Sequence, residues 1–140
     1  MSSDGPTMDQ AWNSMPQGHR GRLRDLKPKL DEIARQLSEG VVGVMRVTQA
    51  SSGDLALVAT TARLILVSKR GSAQVLRYGD LHSLMFTEAK KRRFGLDKEA
   101  YLLIEGADYK YTFVVYSDPE WVKVMGARIE SAFESAQLRL

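Results

Sequence analysis

The feature that most constrains the fold is the chain after Gly40, where short runs of apolar and β-branched residues alternate with turn residues. This pattern is typical of an antiparallel β-meander, because each run is long enough for one strand and each turn joins neighbours along the chain. The turns at 51–53, 69–71 and 106–108 contain Gly, Ser, Asp, Lys or Arg. We therefore predict seven antiparallel strands, at residues 41–49, 54–60, 63–69, 73–78, 81–88, 99–105 and 109–116.

A C-terminal helix is predicted after the last strand. Ser117 and Glu120 have the spacing of a capping box, in which the serine caps the first turn and the glutamate reaches back. Apolar residues then recur at helical spacing, which predicts one buried face that covers an open end of the strands. These residues are Trp121, Val122, Met125, Ile129, Ala132, Phe133 and Ala136.

The N-terminal forty residues divide into two parts. Residues 1–22 are rich in Ser, Gly, Pro and Gln and lack apolar periodicity, so they are predicted to be a flexible tail. Residues 23–40 are predicted to form an amphipathic helix that either docks on the domain at 41–140 or serves as a seam for self-association or for a partner helix. Its apolar stripe consists of Leu23, Leu26, Leu30, Ile33 and Leu37.

Size and composition favour one globular domain. The chain has 140 residues, of which 44% are hydrophobic and 26% charged, so it can bury a core. It contains no cysteine, which excludes disulfides and thiolate chemistry. No apolar run approaches the ~20 residues of a membrane span, so we expect a cytoplasmic protein, with peripheral membrane attachment as the alternative.

Two passages carry a family resemblance. Residues 54–71, DLALVATTARLILVSKRG, and residues 75–84, VLRYGDLHSL, resemble the second to fifth strands of bacterial pleckstrin-homology (PH)-like domains. The resemblance covers about residues 41–137 and implies a seven-stranded, partly open antiparallel barrel or sandwich capped by a C-terminal helix.

The chain departs from this family at two places. Thr61 stands where the family often has Asp before Arg63, which leaves the geometry of that turn open. The first hairpin loop, residues 49–54, carries no Lys or Arg, whereas lipid-binding members use basic residues there. Phosphoinositide binding by that route is therefore not expected.

The residues needed for catalysis are missing. His19 falls in the predicted tail, and His82 lies in a predicted strand beside Asp80 and Ser83, where neighbouring side chains alternate faces and cannot converge as a triad does. No phosphate-binding glycine loop or acidic metal cluster is visible. We therefore expect no enzymatic activity, cofactor or metal.

The densest charge cluster is a predicted loop between the fifth and sixth strands. Of the net charge of +3, this loop supplies four, so the rest of the chain sums to 3 − 4 = −1. The loop is either a solvated hairpin tip or a polyanion site whose aromatic ring stacks on a base or enters a lipid interface. The candidate anion-binding residues are Lys90, Lys91, Arg92, Arg93 and Phe94.

A second basic stretch lies near the first predicted helix, where Asp25 and Asp31 dilute its charge. It carries less weight than the loop for that reason. Its members are Arg20, Arg22, Arg24, Lys27 and Lys29.

Three functions remain open at this point. The leading hypothesis is a protein-binding adaptor that recognises a partner or peptide through an exposed strand edge or the groove beside the C-terminal helix. The alternative is a module that binds an anionic membrane or nucleic acid through the basic loop. A third hypothesis is a structural protein that assembles as a homo-oligomer through the N-terminal helix.

Overall fold

The structure is a computed structural model, and it describes residues 7–87, 90–91 and 98–139. Within these residues, seven strands form one continuous antiparallel sheet, and a further two-residue strand, β6, pairs with β7. The strands are β1 (Val41–Gln49), β2 (Gly53–Thr60), β3 (Arg63–Ser68), β4 (Ala73–Arg77), β5 (Leu81–Phe86), β6 (Lys90–Lys91), β7 (Lys98–Gly106) and β8 (Lys110–Tyr116).

The strand order is β4-β3-β2-β1-β8-β7-β5, so the sheet has two ends and does not close. With a helix at each end of the chain, this arrangement confirms the predicted fold class, which is mainly β with seven antiparallel strands and a C-terminal helix. The predicted strand limits agree with the observed ones to within one or two residues, because turn residues mark nearly every boundary.

The inner face of the sheet holds the main core. Large buried side chains from both halves of the sheet meet the C-terminal helix, α4 (Pro119–Gln137), through Ile129 and Phe133. A Cβ atom on Gly126 would lie 3.0 Å from the ring of Phe86, so the missing side chain lets α4 approach β5 closely. The principal sheet residues of this core are Met45, Leu57, Leu64, Leu102, Ile104 and Phe113.

The predicted cap of α4 is wrong by one residue. Asp118 is the N-cap, and the Ser117 hydroxyl is buried without a hydrogen-bond partner among the described residues. Pro119 explains the shift, since proline fits the first helical position and so fixes the cap directly before it.

The prediction of a flexible tail is also wrong for residues 8–22. They form α1 (Met8–Ser14) and most of α2 (Gln17–Leu23), and Thr7 and Gln10 make a capping box at the start of α1. A 3-10 turn at Arg24–Leu26 leads into α3 (Lys27–Gln36), so the helix predicted at 23–40 is shorter and preceded by a tighter turn. Met8, Ala11 and Met15 are buried, which is the reason that this polar stretch is ordered.

These N-terminal helices cover the outer face of the first three strands. Leu23, Leu26 and Leu30 of the predicted stripe are buried, while Ile33 and Leu37 are partly buried. The stripe therefore faces the sheet, and a self-association seam made from it would require the helices to leave the sheet. The sheet residues beneath the helices are Val41, Val44, Ala56, Val58, Ile65 and Val67.

The hairpin between β2 and β3 resolves the turn that the sequence left open. The fully buried hydroxyl of Thr60 accepts hydrogen bonds from the backbone N–H groups of Ala62 and Arg63, at 3.0 and 2.9 Å. The same hydroxyl donates to Glu39 at 2.9 Å. Thr60, rather than Thr61, thus organises this turn with its side chain.

Candidate functional site

The two ends of the sheet differ in what covers them. β4 forms one end and β5 the other. Terminal strands present unpaired backbone donors and acceptors, and these can pair with a strand from another chain. The candidate site is the end that remains open.

β4 presents its odd-numbered residues to the open side. Ser68 N–H donates to the Ser72 carbonyl at 2.9 Å and Tyr78 N–H donates to the Ala62 carbonyl at 3.2 Å, so residues 72 and 78 face β3. Backbone direction alternates along an antiparallel strand, so Ala73, Val75 and Arg77 face outward. Within the part of the chain that the structure describes, no hydrogen bond reaches the N–H or C=O groups of Ala73 and Val75.

The side chains along β4 offer contacts for an added strand on both faces of the sheet. Val75 is 49% exposed beside the buried Ile65, its neighbour on β3. On the opposite face, a cavity of about 190 Å³ lies next to Ala73 and Gln74 and is lined in part by Leu66 and Phe113. An added strand would therefore meet an apolar side chain on one face and a partly apolar cavity on the other.

The β5 edge, in contrast, is covered by α4. The carboxylate of Glu130 accepts the outward N–H of Phe86 at 2.9 Å, and the amide of Gln137 donates to the carbonyls of Tyr78 and Leu81 at 2.6 and 3.1 Å. A groove of about 170 Å³ remains between Phe86 and α4. At this edge α4 thus already occupies the N–H of Phe86 and the carbonyl of Leu81.

His19 joins the two halves of the sheet. β1 and β8 share one residue pair, Thr48 with Val114, and two residues further along the same register Arg46 would face Tyr116. The His19 ring lies at that place, with Nδ1 accepting from the Arg46 N–H at 3.0 Å and Nε2 at 3.1 Å from the Tyr116 carbonyl oxygen. A side chain from α2 therefore replaces the missing backbone hydrogen bonds of the ladder.

This position fixes the protonation state of His19. Nδ1 can accept only if it carries no proton, so the ring is neutral and Nε2–H donates to the Tyr116 carbonyl. Burial lowers the pKa of His19 from 6.5 to about 4, with a smaller lowering from the charge of Arg46. The ring also packs edge-on against Trp121, with centroids 5.0 Å apart, which ties α2 to α4. His19 is a buried structural group, whereas the sequence placed it in a tail.

The predicted polyanion loop lies mostly outside the described residues. The backbone of Lys90 and Lys91 pairs with Glu99 and Lys98, while Arg92, Arg93 and Phe94 are not among the described residues. The role of this loop stays a prediction.

The structure divides the second basic stretch into two parts. Lys27 forms ion pairs with Asp9 and Asp31, at 3.1 and 2.8 Å, and Lys29 lies 3.9 Å from Glu32. Arg22 and Arg24 are exposed, and no ion pair to either occurs among the described residues.

The remaining residues with catalytic potential are not brought together. His82 is exposed on β5. A search of the described residues finds no group of three His, Cys, Asp or Glu side chains that could hold a metal ion. Nor does any described helix have the length and apolar character to cross a bilayer.

No known protein family matches this chain, and no curated protein resembles it closely enough to count as a relative.

The sequence predicts the strands but not which of them lies at the end of the sheet, because local sequence does not determine strand order. The open edge at β4 therefore could not be identified from the sequence. The sequence did contain a signal for the N-terminal helices that cover the outer face of the sheet. Residues 55–59 and 64–67 are apolar without alternation, which is typical of strands buried on both faces.

Proposed function

We propose that this chain is a PH-like interaction module without enzymatic activity, and that it binds an extended segment of a protein partner by strand addition to β4. The observation that carries the proposal is the contrast between the two ends of the sheet. At β5 the outward N–H of Phe86 is bound by Glu130, whereas at β4 the groups of Ala73 and Val75 have no partner within the described residues.

The neighbouring surface supports the same function. Backbone hydrogen bonds in strand addition supply affinity, and pockets for alternate side chains supply specificity. Val75 would contact an apolar side chain of the partner, and the cavity beside Gln74 would receive a side chain from the opposite face. The preferred ligand is therefore an extended peptide with alternating apolar residues.

The test removes one backbone donor while leaving the ladder to β3 intact. In Val75→Pro the lost N–H is one that points outward, and proline is tolerated on edge strands. Random peptides displayed on phage would be selected on the wild-type protein and then measured against Val75→Pro by calorimetry. We expect binding to be lost or weakened at least about tenfold, since the proline removes a hydrogen bond and blocks close approach.

The matched control is Val75→Thr, which keeps the N–H and the β-branched shape, and it should retain most of the affinity. Thermal unfolding of both variants checks that the fold persists. If the selected peptides bind Val75→Pro as tightly as wild type, or if no peptide is enriched, the proposal is wrong.

A further inference from the structure

The fold brings together two basic segments that are distant in sequence. The ammonium group of Lys69, in the turn between β3 and β4, donates a hydrogen bond to the backbone carbonyl of Arg22 in α2, 47 residues away along the chain. Lys69 and Arg70 therefore lie beside the last turn of α2 and the residues that follow it. We call Arg22, Arg24, Lys69 and Arg70 the composite basic surface.

The positive charge of this surface is not neutralised. All four residues are exposed, and no carboxylate pairs with any of them among the residues that the structure describes. The carbonyl bound by Lys69 carries no net charge. Asp25, which follows Arg24, is exposed and likewise has no ion pair in that part of the chain, so the local balance is four cations to one anion.

The helix between these cations has little side-chain bulk. Gly18 and Gly21 are exposed, and a Cβ added to either would have no heavy atom within 4 Å. At 100° per residue, Gly21 lies opposite the buried His19 and Leu23, on the solvent-facing side of α2 next to Arg22, and Arg24 follows the end of the helix. A phosphate chain could therefore approach the backbone of α2 at Gly18 and Gly21, beside Arg22.

The character of the surface distinguishes between polyanions. Arginine forms bidentate hydrogen bonds with phosphate, and three of the four cations are arginines. Membrane attachment and single-strand binding usually add an apolar or aromatic side chain that inserts or stacks. The large hydrophobic side chains exposed among the described residues are Val75, Met85, Val124 and Leu138, and none belongs to α2 or to the turn.

We propose that the composite basic surface binds the sugar-phosphate backbone of double-stranded nucleic acid without reading its sequence. This inference is independent of strand addition at β4, because it uses side-chain cations rather than the outward backbone of Ala73 and Val75. Neutralising four phosphates releases their counterions, so the slope of log affinity against log salt should be roughly −3.6.

The test measures fluorescence anisotropy of a labelled mixed-sequence DNA duplex with the full chain over a salt series. We expect a slope of roughly −3.6, equal affinity for a second duplex of unrelated sequence, and weaker binding of the isolated strand. Each single change, Arg22→Gln, Arg24→Gln, Lys69→Gln or Arg70→Gln, should lower the slope by about one. The fourfold variant should lose at least about tenfold in affinity at low salt.

Two controls separate this surface from charge in general. Lys29→Gln with Lys110→Gln removes cations that are paired with Glu32 and Glu105, and this variant should keep the wild-type slope. A variant with glutamine at residues 90–93 tests the basic loop, and it should leave single-site effects at the composite basic surface in place.

Several results would overturn the proposal. Absence of duplex binding at low salt would do so, as would loss of binding in the loop variant together with wild-type binding in the fourfold variant. Vesicles of phosphatidylcholine with phosphatidylserine provide the last arm. Attachment to these vesicles, with no affinity for the duplex, would assign the surface to a membrane and reject the nucleic-acid proposal.

Discussion

The sheet has two halves that meet between β1 and β8: β1 to β4 form the first half, and β5, β7 and β8 form the second. Both consist of antiparallel strands, but their strands are buried to different extents. In the first half, β2 has six consecutive buried residues, from 55 to 60, because α4 lies on one side and the N-terminal helices on the other. In the second half, β5 buries Leu81 and Leu84 and exposes the residues between them. The difference shows that three short helices, rather than strand propensity, decide how apolar a strand of this protein can be.

The largest expected effect tests this contrast directly. Val58 is fully buried beneath the N-terminal helices, whereas Thr112 of β8 is exposed. Val58→Asp should lower the free energy of unfolding by about 4 kcal/mol, because it places an unpaired charge between two packed layers. Thr112→Asp should change it by less than about 0.5 kcal/mol. Urea unfolding of both variants measures the difference, and equal midpoints would show that the outer layer is not packed as described.

The next effect concerns the junction between the halves and depends on pH. Because the pKa of His19 is about 4 in the folded protein and near 6.5 when unfolded, the unfolded chain takes up a proton between these values that the folded chain does not. Stability should therefore fall as the pH decreases from 6.5 to 4, by about 3 kcal/mol at 1.36 kcal/mol per pKa unit.

His19→Gln provides the comparison, since an amide can donate and accept at the same place but does not titrate. Urea unfolding at pH 7 and at pH 4.5 should show a smaller loss of stability in this variant than in the wild type. If both proteins lose the same amount, another group controls the acid response.

The smallest effects separate the ion pairs of the two halves. Arg63 Nε lies 2.7 Å from Glu39 in the first half, with 31% and 12% of the side chains exposed. Lys110 lies 3.4 Å from Glu105 in the second, with 79% and 44% exposed. Double-mutant cycles to alanine should give a coupling on the order of 1.5 kcal/mol for the first pair and below about 0.5 kcal/mol for the second. Equal couplings would mean that burial does not distinguish the halves electrostatically.

The strands could be predicted from the sequence because their turns are local. Gly53 and Gly71 have positive φ angles, of 71° and 89°, which favour glycine. Such residues predict a hairpin turn whatever the later arrangement of the strands in the sheet. The stripe of Leu23, Leu26 and Leu30 was recognisable for the same reason, since helical spacing is a property of a few turns.

The N-terminal helices were missed because their order depends on a distant surface. Residues 8–22 contain one proline, two glycines and few apolar side chains, so local preference predicts a tail. The counter-signal lay elsewhere, in strands that are apolar on both faces and therefore need a second cover. The candidate surfaces share this property. The sequence around Lys69 does not predict its contact with Arg22, and the sequence around Val75 does not predict that β4 lies at the end of the sheet.

The contact between His19 and Tyr116 spans 97 residues of chain, and this has a consequence for synthesis on the ribosome. Once residue 77 has left the exit tunnel, α1 to α3 and β1 to β4 are all present outside it, whereas Tyr116 has not yet emerged. Closing so long a loop costs chain entropy before its hydrogen bond contributes, so this connection forms late. The emerging chain should thus pass through a stage in which β1 to β4 and the N-terminal helices are folded while the β1 edge is still unpaired. Pairing with β8 then completes the sheet.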